Sequence, residues 1–316
     1  MQAGVNGLTA GRTTKQSVLV QGDGSVAAST RGVTVPSYTI LNVCGTINVT
    51  GTGSGDNAPI YANGRSDIEI PNVRITGTPV YGMFFRKVNR LRLGSVDIRA
   101  SGLGIRIDHG TDHSQPFSQD IRIDNVYVDG TSTHGVETYG VNNLTIGTVV
   151  ARNTRDAGLL LNLTTNAQIG TVDANNVATG TGYAAFRMAN RNGRINNAYP
   201  TNIRVGQVIS RGGGRGIFCV SESGGAVIDR IDIQNAGNNS ILIENCYNVT
   251  IAGQQGTVSG GGEIRLSART EFPNSTDIWI QNLALANLTV RESPCATNST
   301  FRNITLSNAT LNVCTP

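Results

Sequence analysis

The chain has 316 residues, of which 15% are charged and 5% aromatic, with a formal net charge of +4. Charges this sparse, without basic clusters or a binding motif, exclude a nucleic-acid-binding protein, and no stretch is apolar for long enough to span a bilayer as a helix. Nothing sustains an apolar 3.6-residue period, so long helices are excluded; the abundance of Gly, Asn, Thr and Val points to short strands joined by tight turns.

Residues 1–40 are rich in Gly, Ser and Thr, with alternating strands predicted at 17–21 and 32–35; they read as an N-terminal cap and first irregular coil. Beyond them the chain repeats. The pattern is clearest at 121–143 and 144–166, two stretches of 23 residues that each open on an aliphatic–polar–aliphatic triplet. Units open at Ile68, Leu91, Ile121, Leu144, Ala167, Ile203, Ala226, Val249, Ile278 and Phe301, with a base spacing of 23 residues and three expanded units. Periods of this size mean stacked units sharing one continuous core, so residues 1–316 read as a single elongated domain.

Within a unit, triplets such as Ile121-Arg122-Ile123 alternate as half-buried strands do. A two-residue turn follows (Pro71-Asn72, Asp124-Asn125, Gly206-Gln207), in which Asn tolerates the left-handed conformation. A second strand runs on, and a third is introduced by Gly104, Gly135, Gly158 or Gly216. Three strands per turn, stacked at about 4.8 Å, make an all-β parallel β-helix of ten to twelve coils. With its Asn-bearing two-residue turn, the coil resembles the right-handed parallel β-helix of the pectin-lyase-like superfamily over roughly residues 40–316. The resemblance specifies a fold. It leaves the reaction open, because the superfamily includes lyases, hydrolases, epimerases and phage adhesins.

The expansions at 108–119, 189–202 and 267–276 all follow a third strand, so they are expected to wall a groove on one side of the rod. The third strands are expected to turn Ile105/Ile107, Val136/Thr138, Leu159/Leu161 and Ile217/Cys219 inward. Facing outward or at the strand exits are Arg106, Asp108, Glu137, Tyr139, Asn162, Arg187, Glu222, Glu244 and Arg265. All but two of the basic residues (Lys15 and Lys87) are arginine, whose planar fork matches carboxylates. The groove therefore suits an acidic polysaccharide.

β-Elimination on a uronate needs a group that neutralises the carboxylate, a base for the C5 proton and an acid for the leaving oxygen. Arg187 and Asn162 are assigned to the first task, and Tyr139, His109 and His134 to proton transfer. Substrate contacts are expected from Arg106, Asp108, Glu137, Arg191, Arg211, Arg215, Glu222, Glu244, Arg265 and Arg269. This inventory resembles the Tyr/His/Asn/Arg sets of alginate lyases by chemistry, not motif by motif. The leading expectation is a lyase on alginate, or on pectate as second choice; epimerases share the elimination chemistry. A glycoside hydrolase remains open through Asp108 with Glu137 or Glu222 with Glu244, although the motifs of polygalacturonase-like hydrolases are absent. A non-catalytic carbohydrate-binding rod remains open too.

The run 108–113 holds two Asp and two His, but on an irregular stretch without a recognised ligand spacing. No cofactor is expected, with calcium alone left open. Arg211-Gly-Gly-Gly-Arg215 lacks a Walker pattern and reads as a tight bend. Of five cysteines, Cys295 and Cys314 are 19 apart and are expected to staple the terminal coils; no CxxC exists. A secreted, monomeric protein is expected. The chain opens Met-Gln-Ala-Gly without a leader-like run, so it would be present here in mature form.

Overall fold

Most buried aliphatic side chains among the described residues belong to ladders that run along the rod. The computed structural model describes residues 1–111, 117–180 and 182–314. Among these residues 24 strands pair in parallel ladders, and the sole helix is the five-residue turn Gln2–Asn6 at the N-terminus. The solenoid has about 13 turns, against the ten to twelve expected. The N-terminal region adds to the stack because Gln16–Val20 and Thr39–Val43 already pair in register.

The repeat holds at the level of single residues. Thr39, Ile68, Leu91, Ile121, Leu144, Ala167, Ile203, Ala226, Val249 and Ile278 occupy one rung position on successive coils. Phe301 departs from expectation and stands above Ile280, because the last coil is 21 residues long. In the third-strand sheet the inward ladder runs Ile60, Met83, Ile105, Val136, Leu159, Phe186, Ile217, Ile241, Ile264, Val290, Leu311. All but the terminal Leu311 are buried. Each such side chain withdrawn from water contributes about 1.5–3 kcal/mol, which is what holds the coils in register.

The two-residue turn takes a different form from the one expected. The first and second strands are one bent strand, as in Ser66–Gly77 and Ser118–Asp129. Pro71-Asn72 and Asp124-Asn125 are corners at which two successive residues face outward. Apart from the corner residue Asn282, left-handed residues stand instead ahead of the first alternating triplet, at Asp67, Arg90, Asp120, Asn143, Asn166, Asn248 and Asp277, and just after the bent strand, at Asn153, Asn176 and Asn235. Short polar side chains tolerate that conformation because they bond locally. Here they also bond along the stack: Asn176 donates to Asn153, and Asn153 to Asp129, both at 2.9 Å.

The expansions fall where the repeat puts them. Third strands end at Asp108, Ala189 and Ser267, and the next strands begin at Ser118, Ile203 and Thr276. Residues 112–116, including His113 of the metal-like run, lie outside the described residues. The Cys295–Cys314 disulfide closes the C-terminal coils as expected, and a second, Cys219–Cys246, lies beneath the groove.

Candidate functional site

On the outer face of the third-strand sheet, one row of side chains follows the helix axis: Tyr61, Phe84, Arg106, Glu137, Leu160, Arg187, Phe218, Leu242, Arg265, Arg291, Asn312. A second row, two residues further on, carries Arg86, Asp108, Tyr139, Asn162 and Ala189. Beyond it the loops rise into a cleft of about 550 Å³ lined by Phe117, Tyr139, Asn190, Arg191, Arg194, Glu222 and Phe272 among others.

The N-terminal half of this floor is a closed network of charges. Asp108, only 1% exposed, receives Arg86 through Nε at 2.7 Å and Nη2 at 2.9 Å, and Arg106 Nε at 3.0 Å. Arg86 also reaches Asp56 at 2.7 Å, and Arg106 donates to Glu137 at 2.5 Å. Glu137 further accepts from Asn162 at 3.1 Å, and Asn162 from Asn190 of the second inserted loop at 2.9 Å. Burial pushes the Asp108 carboxyl up, but hydrogen bonds from Arg86 and then Arg106 outweigh it and hold it below the usual range. For Glu137 burial wins over Arg106, and its carboxyl is raised.

The other half of the floor has charge without compensation. Arg187 lies with its guanidinium carbon 4.9 Å from the ring centre of Tyr183 and 5.2 Å from that of Phe218; Arg215 stands 5.1 Å from the same Phe218 ring. Among the described residues neither pairs with a carboxylate, and neither does Arg265. The Nε groups of Arg187 and Arg265 are buried without a hydrogen-bond partner. Burial pulls Arg187 down from the ordinary guanidinium value. Beneath these cations Leu160, Phe218, Val220, Leu242, Ala157, Ala184 and Ala189 form an apolar cluster outside the main core.

His134 precedes the strand Val136–Tyr139. Its Nδ1 accepts the Ala157 backbone N–H at 3.1 Å, and its ring meets the edge of Tyr183 at 4.9 Å. A backbone N–H can only donate, so the neutral imidazole carries its proton on Nε2. Burial, aided by Arg187 and Arg106, lowers its pKa to about 4. His109 is fully buried: its Nδ1 lies 2.9 Å from the Tyr139 carbonyl oxygen and its ring stacks on Tyr139, with centroids 5.7 Å apart at 8°.

No family model matches the chain, and no curated protein matches its sequence. Solved structures do. The A-module of Azotobacter vinelandii mannuronan C-5 epimerase AlgE4 superposes with a TM-score of 0.51 at 11% identity, over 100% of this chain and 91% of that one. The AlgE6 A-module of the same organism gives 0.38 at 12% identity, over 98% and 93%. The receptor-binding domain of the siphovirus 9NA tailspike gives 0.46 at 10%, over 95% and 72%. The fold is a right-handed parallel β-helix of the pectate-lyase-like kind.

Within that fold several assigned roles change. Asp108 is too enclosed to touch a substrate and instead fixes Arg86 and Arg106. His109, expected to transfer protons, is fully covered and packs its ring on Tyr139. His134, expected to transfer protons, has its Nδ1 occupied by the Ala157 N–H and keeps an Nε2–H to donate. Arg211 leaves the groove altogether: it ends the strand Ile203–Arg211 on the neighbouring face, paired with Asp232. The glycine bend that separates it from Arg215 is as tight as expected, since a Cβ on Gly213 would stand 1.9 Å from the Val177 carbonyl oxygen.

Tyr139, Arg191 and Glu222 do meet in the cleft, with Arg191 Nε 3.0 Å from Glu222. Glu244 pairs with Arg269 at 2.9 Å and accepts from Ser267. Arg269 also reaches Ser221 at 3.0 Å, across two coils. Sequence reasoning missed Tyr183, Phe218, Asn190 and Arg194. The first two flank Arg187 on the floor, and an aromatic on each side of an outward Arg was the available signal.

Proposed function

We propose that the protein acts on a uronic-acid polysaccharide, alginate first and pectate second, and cleaves it by β-elimination in this groove. The observation that carries the reading is the set of half-buried guanidiniums, Arg187, Arg215 and Arg265, left without carboxylate partners on an apolar floor. Desolvating a cation without a counterion is costly unless a ligand supplies the anion, and a polyuronate supplies one per sugar. Arg187 faces the carboxylate of the reacting sugar and stabilises the charge that develops when the C5 proton leaves. Tyr139, which lines the cleft, acts as its phenolate: its oxygen takes that proton and passes it to the leaving glycosidic oxygen. The C5–H and C4–O bonds break as the C4–C5 double bond forms, and on a mannuronate, where both lie on one face of the ring, a single residue completes this as a syn elimination. The Nε2–H of His134 and the amide of Asn162 are donors at the same floor.

Hydrolysis is disfavoured because Asp108 is enclosed and Glu137 is held between Arg106 and Asn162, which leaves no pair of free carboxyls there. Epimerisation is the second reading. It shares C5 abstraction and is the activity named for the AlgE4 module, although at 11% identity that likeness concerns the fold. The two disulfides suit an oxidising compartment, and with it secretion.

Incubation with alginate, polygalacturonate and glycosaminoglycans in D₂O separates the readings. Unsaturated-uronate absorbance marks elimination; deuterium at C5 without chain shortening marks epimerisation; reducing ends without that absorbance mark hydrolysis. None of the three on any acidic polymer overturns the proposal. Tyr139→Phe is expected to lower the rate about 10²–10⁴-fold and to leave binding intact; full activity in this variant refutes its role.

A further inference from the structure

We infer that Arg265 forms a remote anionic subsite that holds a uronate three sugar units from the one facing Arg187. This rests on the acidic-polysaccharide reading and extends it to substrate length. Arg187, Phe218, Leu242 and Arg265 are successive members of one outward row. Three coil steps of about 4.8 Å place the two guanidiniums' strands about 14 Å apart. An extended pyranose chain advances per unit by about the distance of one coil, so a polymer lying along the axis meets the two cations three units apart.

The two intervening members are apolar, and no carboxylate among the described residues pairs with either cation. The contrast with the neighbours of Arg265 is local. Arg291, on the next coil, is paired with Glu263 at 2.9 Å, and Arg269 of the adjoining loop with Glu244 at 2.9 Å. Of these three, Arg265 alone has no carboxylate among the described residues within ion-pair distance, and its buried Nε–H has no hydrogen-bond acceptor there. The same orphaned Nε–H recurs at Arg187. Within this row the spacing discriminates by length: a ligand of three units reaches one of the row's two guanidiniums and a ligand of four reaches both, while Arg215, which stands over Phe218 from outside the row, serves either length alike.

The test is calorimetric binding of di- to hexa-uronates, intact and with carboxyls methyl-esterified, in a Tyr139→Phe background, with mass spectrometry confirming that the oligomers survive. The expected result is a step of about tenfold or more in affinity between three and four units, as a charge-assisted contact gives. Esterification and Arg265→Gln should both remove the step, and Arg265→Lys should restore it in part. Circular dichroism confirms that each variant is folded. Smooth growth of affinity with length, or a step that survives in folded Arg265→Gln, overturns the inference and leaves the acidic-polysaccharide reading standing. Failure of every charged oligomer to bind the wild-type chain sinks that reading, and the subsite with it.

Discussion

Replacing Asp108 by Asn removes one negative charge from an enclosed point of the groove while keeping the side-chain volume. The carboxylate now satisfies three guanidinium N–H groups, at 2.7, 2.9 and 3.0 Å, and the Gly110 backbone N–H at 3.1 Å. Breaking a buried pair by deleting one partner costs roughly 3–5 kcal/mol. The lower end applies, because Arg86 retains Asp56 and Arg106 retains Glu137. A loss of about 3 kcal/mol spread over the unfolding entropy of a chain this long lowers Tm by about 5 °C. Because coils of a solenoid can open separately, hydrogen exchange in Leu103–Asp108 and Tyr81–Arg86 should accompany calorimetry. The acid response gives the sign. The folded carboxyl is depressed, so its contribution is complete above the unfolded value near 4 and is lost as pH falls through the lower folded value. Wild type should therefore lose its advantage over Asp108→Asn only in strong acid. A Tm within 1 °C of wild type at pH 7, with unchanged exchange protection, refutes the view that Asp108 holds the floor together.

His134 makes the opposite pH prediction. Its folded pKa is about 4 against an ordinary 6.5, so below 6.5 the unfolded chain binds a proton that the folded one refuses. Stability should be unaffected above pH 6.5 and fall between 6.5 and 4 by on the order of 3 kcal/mol; His134→Gln should flatten that slope, and an NMR titration midpoint of the imidazole above 6 counts against the argument. Cys295→Ser/Cys314→Ser opens a 19-residue separation and should cost about 3 kcal/mol, with exchange loosened in Thr300–Ser307 and unchanged at Val136–Tyr139. Global unfolding at the same midpoint as wild type would show that the staple does nothing for the last coils.

The ladder of inward aliphatics was legible because an interior only one side chain deep leaves a coil no freedom of register. Ile121 above Leu91 and below Leu144 follows from spacing alone, and so do the exits at Asp108, Ala189 and Ser267. What lay beyond the pattern was how exits close. Asp108 looked outward by alternation, but Arg86, Arg106 and the Gly110 N–H enclose its carboxylate, and Ser118 donates to its carbonyl oxygen at 2.9 Å. Phe301 was placed by the 23-residue spacing, whereas its coil is shortened to 21. Cys246 stands past a turn that strict spacing does not encode, so the Cys219–Cys246 pair, 27 apart, escaped notice. Charge pairing across coils depends on rotamers, and the repeat carries no record of those.

Arg106 and Arg187 show how paired and unpaired cations on one row do different work. They stand three coils apart on the same outward row, facing the same way, on strands of the same length. Arg106 is the cation for Glu137, which is only 6% exposed; Arg106→Gln leaves that carboxylate uncompensated and should cost about 3 kcal/mol. Arg187 carries an uncompensated desolvation cost, partly offset by its contacts with Tyr183 and Phe218, each worth about 1 kcal/mol. Arg187→Gln removes the cost and the offset together, so its stability should equal wild type or exceed it by up to about 1 kcal/mol. The same change takes away the second-largest influence holding the His134 pKa down, so that imidazole should titrate higher. Thermal unfolding and imidazole NMR at one ionic strength read both effects. If Arg187→Gln is destabilised as much as Arg106→Gln, then Arg187 serves the fold, and the groove loses its strongest mark of an anionic ligand.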